Sequence, residues 1–287
     1  MTSIKPLSEE NAESLAPVFN EAFSDYLVKV RATPESLAVK MKQESIDPSW
    51  SAGAYHEGRL VGFILHGCRS TPSGKWLYNA GTGVIPSARG QKLTEQMYRY
   101  ILPLAQQEGI SRFVLEVIIE NTRALNIYQK IGFDIERTLC CFSGAKPSQA
   151  ISESSFLVKP LSSLPEVPQS WRDSEPSWPA ATASLKQVEE SLLMAGAYDG
   201  ERLVGYIAAL ASMGRLLQLA VDPAYRRRKI ASALVSHCFG VKGYESMLAL
   251  NVDEQDQGSC AFFESIGWKP AVRQYEMERR LKAEGER

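Results

Sequence analysis

The chain has 287 residues, of which 44% are hydrophobic and 23% are charged, and its net charge at pH 7 is −1. A chain of this length favours two domains of about 140 residues, each large enough to bury a core of its own. The near-zero net charge argues against nucleic acid or an anionic membrane as the main partner, so we expect neither.

Cysteine and histidine usage limits the redox and metal chemistry. The five cysteines form no CxxC pair, and the three histidines are scattered along the chain. This pattern argues against a disulfide framework and a metal site, and it is typical of a reducing compartment. Because the N-terminus has no signal-peptide pattern and no apolar run approaches about 20 residues, we expect a cytoplasmic protein.

The first half predicts helices and strands in alternation. Helical spacing of apolar residues, with caps and closing glycines, predicts helices over residues 9–23 (capped by Ser8), 34–44 (capped by Thr33), 93–108 (closed by Gly109) and 124–131 (closed by Gly132). Alternating or β-branched runs predict strands over residues 4–6, 51–56, 59–67, 76–84, 112–119 and 133–142. Glu57-Gly58 predicts a hairpin turn between the second and third strands.

The second half repeats the first. Residues 52–64 read AGAYHEGRLVGFI and residues 195–207 read AGAYDGERLVGYI, with nine of thirteen positions identical. Three further pairs recur in the same order, namely KPLS at 5 and 159, VIP at 84 with VDP at 221, and YQKIGF at 128 with FESIGW at 263. We therefore predict two copies of one domain, at residues 1–146 and 152–287, with the boundary within residues 143–155. The proline-rich residues 165–179 predict that the second copy replaces or shortens its first helices.

A turn that could hold an anion follows the strand ending at Val84. Residues 89–94 read RGQKLT and lead into a predicted helix, whose first backbone N–H groups and positive dipole end favour an anion. Arg89 and Lys92 add charge, although a turn with two solvated cations is the structural alternative. Gly81 and Gly83, inside the strand, indicate a bulge or a close ligand approach.

Two blocks resemble a known family, the GNAT (Gcn5-related) acetyltransferases. The turns RGQKLT (89–94) and RRRKIA (226–231) are similar to the family pattern (Q/R)-x-x-G-x-(G/A), with lysine in place of the first glycine. Residues 115–133 match L-E-V-x-x-x-N-x-x-A-x-x-x-Y-x-x-x-G-F without a gap. Among family members, the chain looks closest to those that acetylate the N-terminal amine of a protein.

The resemblance implies a fold, a cofactor and a set of binding residues. The implied fold is α+β, with two GNAT-like domains, each a mixed, mostly antiparallel twisted sheet flanked by helices, with a splayed parallel strand pair holding CoA. The implied cofactor is acetyl-CoA. In the first copy its implied contacts are Thr82, Gly83, Val84, Arg89, Gly90, Gln91, Lys92, Leu93, Thr94, Glu95 and Asn121. In the second copy they are Val221, Arg226, Arg227, Arg228, Lys229, Ile230 and Ala231.

Two residues of the first copy match the family's catalytic positions. The resemblance implies that Glu116 is the general base and that Tyr128 gives a proton to the leaving thiolate. A carboxylate between Leu115 and Val117 is costly unless it faces a polar cleft, and burial there would raise its pKa toward a useful value. Tyr128 at helical spacing could instead be a core residue, and Asn121 could simply cap the next helix.

The second copy lacks these groups, so we expect it to be catalytically degenerate. Ungapped counting back from Gly267 places Phe263 at the tyrosine position, Asp256 at the asparagine position and Asn251 at the glutamate position. Neither phenylalanine nor an asparagine amide can exchange a proton usefully at neutral pH. We therefore expect an N-acetyltransferase that acts in its first copy on a small-molecule or peptide amine, as a monomer or homodimer. An acyl-CoA sensor without catalysis and catalysis in the second copy are the alternatives.

Overall fold

The computed structural model describes residues 2–147 and 156–281. The strands are β1 (Thr2–Pro6), β2 (Ala52–His56), β3 (Arg59–Thr71), β4 (Gly74–Val84), β5 (Ile110–Ile118), β6 (Asp134–Gly144), β7 (Leu157–Pro160), β8 (Leu192–Asp199), β9 (Arg202–Leu210), β10 (Arg215–Val221), β11 (Met247–Asp253) and β12 (Lys269–Arg280). The helices are α1 (Ala12–Ala22), α2 (Pro34–Gln43), α3 (Leu93–Gln107), α4 (Thr122–Ile131), α5 (Thr182–Gln187), α6 (Ile230–Lys242) and α7 (Gln257–Ser265). None of these helices has both the length and the apolar character that a membrane-spanning helix requires.

The chain divides into two compact units. The N-terminal unit contains residues 1–136 and 275–287, and the C-terminal unit contains residues 137–274. Residues 137–144, which end the first repeat, thus belong to the C-terminal unit, and residues 275–280, which end the second, belong to the N-terminal unit. In this respect the units differ from the predicted segments 1–146 and 152–287. Within the predicted boundary, residues 143 and 144 belong to β6, and residues 148–155 lie outside the described part of the chain.

Each unit has the same strand order. In the N-terminal unit the order is β1-β2-β3-β4-β5-β12, and in the C-terminal unit it is β7-β8-β9-β10-β11-β6. The β4–β5 and β10–β11 pairs are parallel, whereas the pairs from β1 to β4, from β7 to β10 and between β11 and β6 are antiparallel. This is the predicted α+β architecture with a mixed, mostly antiparallel sheet in each unit.

In each unit, the hydrogen-bonded pairing of the two parallel strands stops before the strands end. Pairing of β4 with β5 stops at Asn79–Leu115, and that of β10 with β11 stops at Leu216–Ala249. A β-bulge lies next to each of these points. It interrupts the register of β4 against β3 at Ala80, and that of β10 against β9 at Leu217. A bulge leaves backbone groups unpaired and bends the strand, so both units contain the predicted splayed pair.

Most predicted elements are confirmed to within two residues at each end. The strand predicted over residues 59–67 instead continues to Thr71, and the predicted start of the first helix is wrong. Residue 9 and a Ser8 cap were expected, whereas α1 begins at Ala12 after Asn11. The Asn11 side chain accepts hydrogen bonds from the Glu13 and Ser14 amides, and the Ser14 hydroxyl completes the capping box. A reciprocal cap of this kind outcompetes an isolated serine.

Among the described residues of the second repeat, no helix corresponds to α1, as the prolines of that repeat predicted. Short 3-10 turns at Gln169–Trp171 and Trp178–Ala180 take that place, followed by the six-residue α5. Trp171 packs against Tyr206 and Ala220 in a small apolar cluster. Two buried indole rings thus cover the sheet where the first repeat uses a helix.

Gly67 allows the end of α2 to approach β3. A Cβ atom at this position would lie 2.0 Å from the carbonyl oxygen of Glu44, which is backbone and cannot easily move. We expect Gly67→Ala to lower the free energy of unfolding by about 1–3 kcal/mol, as overpacked sites do. Urea denaturation measures this, with Gly81→Ala as the control because no atom lies within 4 Å of a Cβ there. Equal midpoints for the two variants would contradict the close approach.

Candidate active site

The two predicted anion-binding turns share one backbone conformation. Gly90 and Lys92 have φ angles of 84° and 57°, and the matching Arg227 and Lys229 have 63° and 62°. Lysine therefore adopts the left-handed conformation for which glycine is the usual residue, at a cost of about 1–2 kcal/mol. The α3 and α6 helices start directly afterwards without a side-chain cap, so their first N–H groups remain available to an anion.

The arginine that opens the first turn is engaged within the protein. Arg89 Nε donates to the carbonyl of Val84 at 3.1 Å, at the end of β4. Its terminal nitrogens pair with Asp25 at 2.5 and 2.7 Å, and one also donates to the carbonyl of Ala22 at 3.0 Å. The guanidinium thus ties the turn to the residues around the end of α1.

Arg226 repeats this arrangement in the C-terminal unit. Its Nε donates to the carbonyl of Val221 at 3.3 Å, and its terminal nitrogens contact Asp173 at 2.7 Å and the carbonyl of Trp171 at 3.1 Å. The motif arginine therefore holds the same turn geometry in both repeats, although the described part of the second repeat contains 3-10 turns where the first has α1.

The other predicted binding residues of the first copy run from the end of β4 through the turn to the first residues of α3. Thr82, Gly83 and Val84 end β4, and Gly90, Gln91 and Lys92 are exposed in the turn. The side chain of Leu93 is buried in the core, so only its backbone could reach a ligand, and Thr94 and Glu95 are partly exposed. A Cβ atom on Gly83 would lie 2.6 Å from the Phe63 ring, so packing accounts for that glycine.

A cavity of about 540 Å³ opens in the C-terminal unit beside the splayed strands. Six of the seven residues predicted there line it, namely Val221, Arg226, Arg227, Lys229, Ile230 and Ala231. The seventh, Arg228, instead lies over the rings of Phe156 and Tyr225. A cavity of this size, with cationic side chains and a helix N-terminus, fits an anionic cofactor such as acetyl-CoA.

Glu116 lies on β5, one residue beyond the last parallel pair. The hydroxyl of Tyr78 donates a short hydrogen bond to its Oε2 atom. Its Oε1 atom is closed to solvent and has no hydrogen-bond partner among the described residues. The pKa of Glu116 is raised from 4.5 to about 8. Burial is the main cause, the charge of Glu276 adds to the rise, and the Tyr78 hydrogen bond opposes it.

Glu276 comes from β12, the last strand of the second repeat. The Leu281 amide donates to the carbonyl of Ser111 at 2.9 Å. Arg112 pairs with Glu278 at 2.8 Å, so later residues of β5 lie beside earlier residues of β12 and the two strands run in opposite directions. Counting from the Leu281–Ser111 bond then places Glu276 opposite Glu116, with both side chains on the same face. Like charges at such a position repel each other, and this repulsion adds to the effect of burial in raising the pKa of Glu116.

Tyr128 lies on α4 and is buried, but its hydroxyl reaches polar groups. It lies within hydrogen-bonding reach of Thr82 and Asn79, and its ring packs edge-on against Tyr98 and Phe133 at 6.3 and 5.8 Å. Burial raises the pKa of Tyr128, so the phenol keeps its proton at neutral pH. Tyr128 is thus packed in the core, as the structural alternative predicted, and its hydroxyl also reaches polar groups.

The predicted base and acid flank β4 from its two sides. Glu116 bonds to Tyr78, and Tyr128 reaches Asn79, the next residue along the strand. Successive side chains of a strand point to opposite faces. The two groups therefore approach the splayed strands from opposite faces.

Asn121 is confirmed as a helix cap. Its side chain accepts a hydrogen bond from the Ala124 amide at 3.2 Å, and it lies within hydrogen-bonding reach of the Tyr26 hydroxyl. Burial raises the pKa of Tyr26, which also keeps this phenol protonated. The cofactor contact predicted for Asn121 stays a prediction.

The matching positions of the C-terminal unit hold a neutral network. Asn251 occupies a bulge in β11 with a φ of 52°, and it contacts Ser177 at 3.1 Å and Gln274 at 2.7 Å. Cys141, the repeat equivalent of Glu276, contacts its Oδ1 atom at 3.4 Å. Phe263 stacks between aromatic neighbours. Asn251 and Phe263 therefore supply neither a general base nor a general acid at neutral pH.

Sequence reasoning missed three residues of this site. Tyr78 and Asn79 were read only as strand residues, although two adjacent polar groups in an apolar strand are a usable signal. Glu276 lies 160 positions after Glu116 and has Cys141 at its repeat position, so no local pattern pairs it with the site.

Comparison with known proteins is consistent with the duplicated architecture. The model of the acetyltransferase (GNAT) family matches residues 13–133 and again residues 160–268. A mycothiol acetyltransferase from Jonesia denitrificans is 28% identical over 131 residues, which cover 45% of this chain and 40% of the relative. That match thus spans less than half of the relative's length.

Two solved structures share the fold over nearly the whole chain. A tandem GNAT protein from the clavulanic acid biosynthesis pathway aligns with a TM-score of 0.73 at 11% identity, covering 98% of both chains. A GCN5-related N-acetyltransferase from Sphaerobacter thermophilus aligns with a TM-score of 0.69 at 15% identity, covering 97% of this chain and 95% of the other. The family model matches both repeats and most of the sequence, and this protein therefore belongs to the acetyl-CoA-dependent GNAT acetyltransferase family, in a tandem form.

Proposed function

We propose that this protein transfers the acetyl group of acetyl-CoA to a primary amine, on a small molecule or a peptide N-terminus, and that the N-terminal unit catalyses the transfer. The observation that supports this most is the Glu116 carboxyl group, whose pKa of about 8 lies close to neutral pH. A base with such a pKa accepts a proton efficiently and still returns it to solvent. Acetyl-CoA, when bound, supplies the acetyl group as an activated thioester.

Glu116 and Glu276 together favour a cationic acceptor. An ammonium group between two opposed carboxylates relieves their repulsion and stabilises the ionised form of Glu116. The Oε1 atom of Glu116, which has no hydrogen-bond partner among the described residues, can then take a proton from the ammonium, which leaves a neutral, nucleophilic amine. The short bond from Tyr78 fixes the orientation of the carboxyl group.

Tyr128 supplies the proton that the leaving thiolate of CoA requires. Its raised pKa keeps the hydroxyl protonated, and Thr82 and Asn79 orient it near the point where β4 and β5 separate. A phenol in this place can protonate a departing thiolate. The turn at residues 89–94 would hold the diphosphate of the carrier through backbone amides.

A second candidate places acetyl-CoA binding, or catalysis itself, in the C-terminal unit. The 540 Å³ cavity favours it, because six of the residues predicted for the second turn line that cavity. Catalysis there would require an amine that is already neutral, since Asn251 and Phe263 cannot serve as base or acid.

A matched pair of charge reversals separates the two candidates. Lys92 and Lys229 are both exposed, and both have a left-handed backbone conformation just before a helix. Glutamate at either position places a negative charge beside the proposed diphosphate site. We expect Lys92→Glu to raise the KM for acetyl-CoA at least tenfold, or about 1.4 kcal/mol, and Lys229→Glu to change the KM less than twofold.

Release of free thiol from acetyl-CoA measures the transfer, in a screen of polyamines, aminoglycosides, amino acids and short peptides. If only Lys229→Glu raises the KM, the carrier that reacts is held by the C-terminal unit. Calorimetric binding of CoA without thiol release for any amine would favour the sensor hypothesis instead.

A further inference from the structure

The cavity of the C-terminal unit contains a polar group that the N-terminal unit lacks. In the first repeat, Phe23 follows Ala22, whose carbonyl binds the motif arginine, and the Phe23 and Phe63 rings lie 6.4 Å apart. In the second repeat, Arg172 follows Trp171 in the same way, and its Cζ atom lies 6.0 Å from the centre of the Tyr206 ring. The second repeat thus has the guanidinium of Arg172 beside the phenol of Tyr206, where the first repeat has the apolar rings of Phe23 and Phe63.

A chain of hydrogen bonds orients this guanidinium. Arg172 Nη2 donates to the Tyr206 hydroxyl at 2.5 Å, and that hydroxyl donates to Gln218 Oε1 at 2.8 Å. The Gln218 amide nitrogen donates in turn to the carbonyl of Ala180 at 2.6 Å. Tyr206 and Gln218 are buried, with exposed fractions of 1% and 5%. The acceptors that hold Arg172 are therefore neutral and fixed.

Within residues 2–147 and 156–281, Arg172 forms no ion pair. Its Nη2 atom makes the only hydrogen bonds of this guanidinium to described residues, and its buried Nε–H has no acceptor there. A partly buried charge without a counterion is costly unless a ligand supplies one.

The acidic residues that line the cavity are engaged elsewhere. Asp173 pairs with Arg226, and Asp253 pairs with Arg137 at 3.1 Å. Asp256 caps α7 through the Ser259 amide and hydroxyl, and Glu175 accepts a short bond from Gln169. Arg172 thus faces the same cavity as the cationic turn, with no carboxylate of the described chain assigned to it.

We propose that this cavity is a binding site for a carboxylate-bearing ligand, whose anionic group pairs with the Arg172 guanidinium. A planar guanidinium with free N–H groups matches the two oxygens of a carboxylate. Gln218, which is hydrogen-bonded to Arg172, lies three residues before Val221 on β10. The distance along the strand from Gln218 to the start of the turn is therefore about 10 Å. The carboxylate can belong to the acyl group of a CoA thioester or to a free small acid.

Calorimetry on the full chain tests the proposal with acetyl-CoA, succinyl-CoA and free succinate as probes. We expect succinyl-CoA to bind at least tenfold more tightly than acetyl-CoA, and Arg172→Gln to remove that preference. Gln218→Glu should remove it too, because an internal carboxylate would then occupy Arg172. Arg202→Gln is the matched control, since Arg202 pairs with Asp222 and does not line the cavity.

The three probes distinguish the sources of the carboxylate. Binding of succinate that depends on Arg172, without discrimination between the thioesters, would assign the site to a free acid. The proposal is overturned if no carboxylate probe loses affinity in Arg172→Gln or Gln218→Glu, while circular dichroism shows both variants folded.

Discussion

Replacing Glu116 with glutamine is expected to lower kcat/KM for acetyl transfer by about 10²–10⁴-fold, the range that a general base contributes. The amide keeps the size of the side chain and can still bond to Tyr78, but it cannot accept a proton from an ammonium group. Thiol release from acetyl-CoA measures the loss. Glu120→Gln is the control, because Glu120 is exposed just beyond the same strand. Turnover within about a factor of two of wild type would remove Glu116 from the mechanism.

The same substitution is expected to make the protein more stable above neutral pH. The folded state binds the Glu116 proton more tightly than the unfolded state, so between pH 4.5 and about 8 the Glu116 contribution to stability falls as pH rises. Glutamine has no proton to lose in this pH range, so its contribution to stability does not fall as pH rises. Denaturant titrations at pH 5 and pH 8.5 should show that Glu116→Gln gains stability over wild type mainly at the higher pH. A gain of the same size at both pH values would mean that Glu116 has no raised pKa.

Replacing Tyr128 with phenylalanine is expected to lower kcat by about 10²-fold with little change in the KM for acetyl-CoA. The ring keeps its packing against Tyr98 and Phe133, and only the hydroxyl near Thr82 and Asn79 is lost. An effect on kcat alone indicates a group that acts in the transition state and not in binding.

Thermal unfolding separates this effect from a loss of structure. A lost buried hydrogen bond costs about 1 kcal/mol, which leaves the variant folded at assay temperature. Tyr100→Phe, on the partly exposed side of α3, should leave kcat unchanged. An unchanged kcat in Tyr128→Phe would show that the Tyr128 hydroxyl takes no part in catalysis and that the residue is structural.

Local sequence patterns were sufficient for the elements and the repeat. The caps at Thr33 and Gly132 and the strand-turn-helix at residues 84–93 each depend on residues within one or two turns of each other. The block at residues 115–133 indicated Glu116 and Tyr128 through its resemblance to the GNAT family pattern. Their roles in catalysis remain predictions.

Long-range pairing accounts for what the sequence could not predict. The neighbour of β5 is β12, so the residue opposite Glu116 comes from the end of the other repeat. The C-terminal cavity was likewise not predicted in detail, because its Arg172–Tyr206–Gln218 chain joins a proline-rich segment to two strands. Neither arrangement has a spacing that can be read along one stretch of sequence.

The pH dependence of kcat/KM for wild type and Glu276→Gln tests the central claim most directly. If the N-terminal carboxyl pair is the base, the wild-type rate rises with pH through a midpoint near 8. Glu276→Gln moves that midpoint to lower pH because it removes the charge that adds to burial in raising the pKa of Glu116. Superimposable profiles for the two proteins, or a wild-type rate that does not change between pH 6 and pH 9, would contradict catalysis by Glu116.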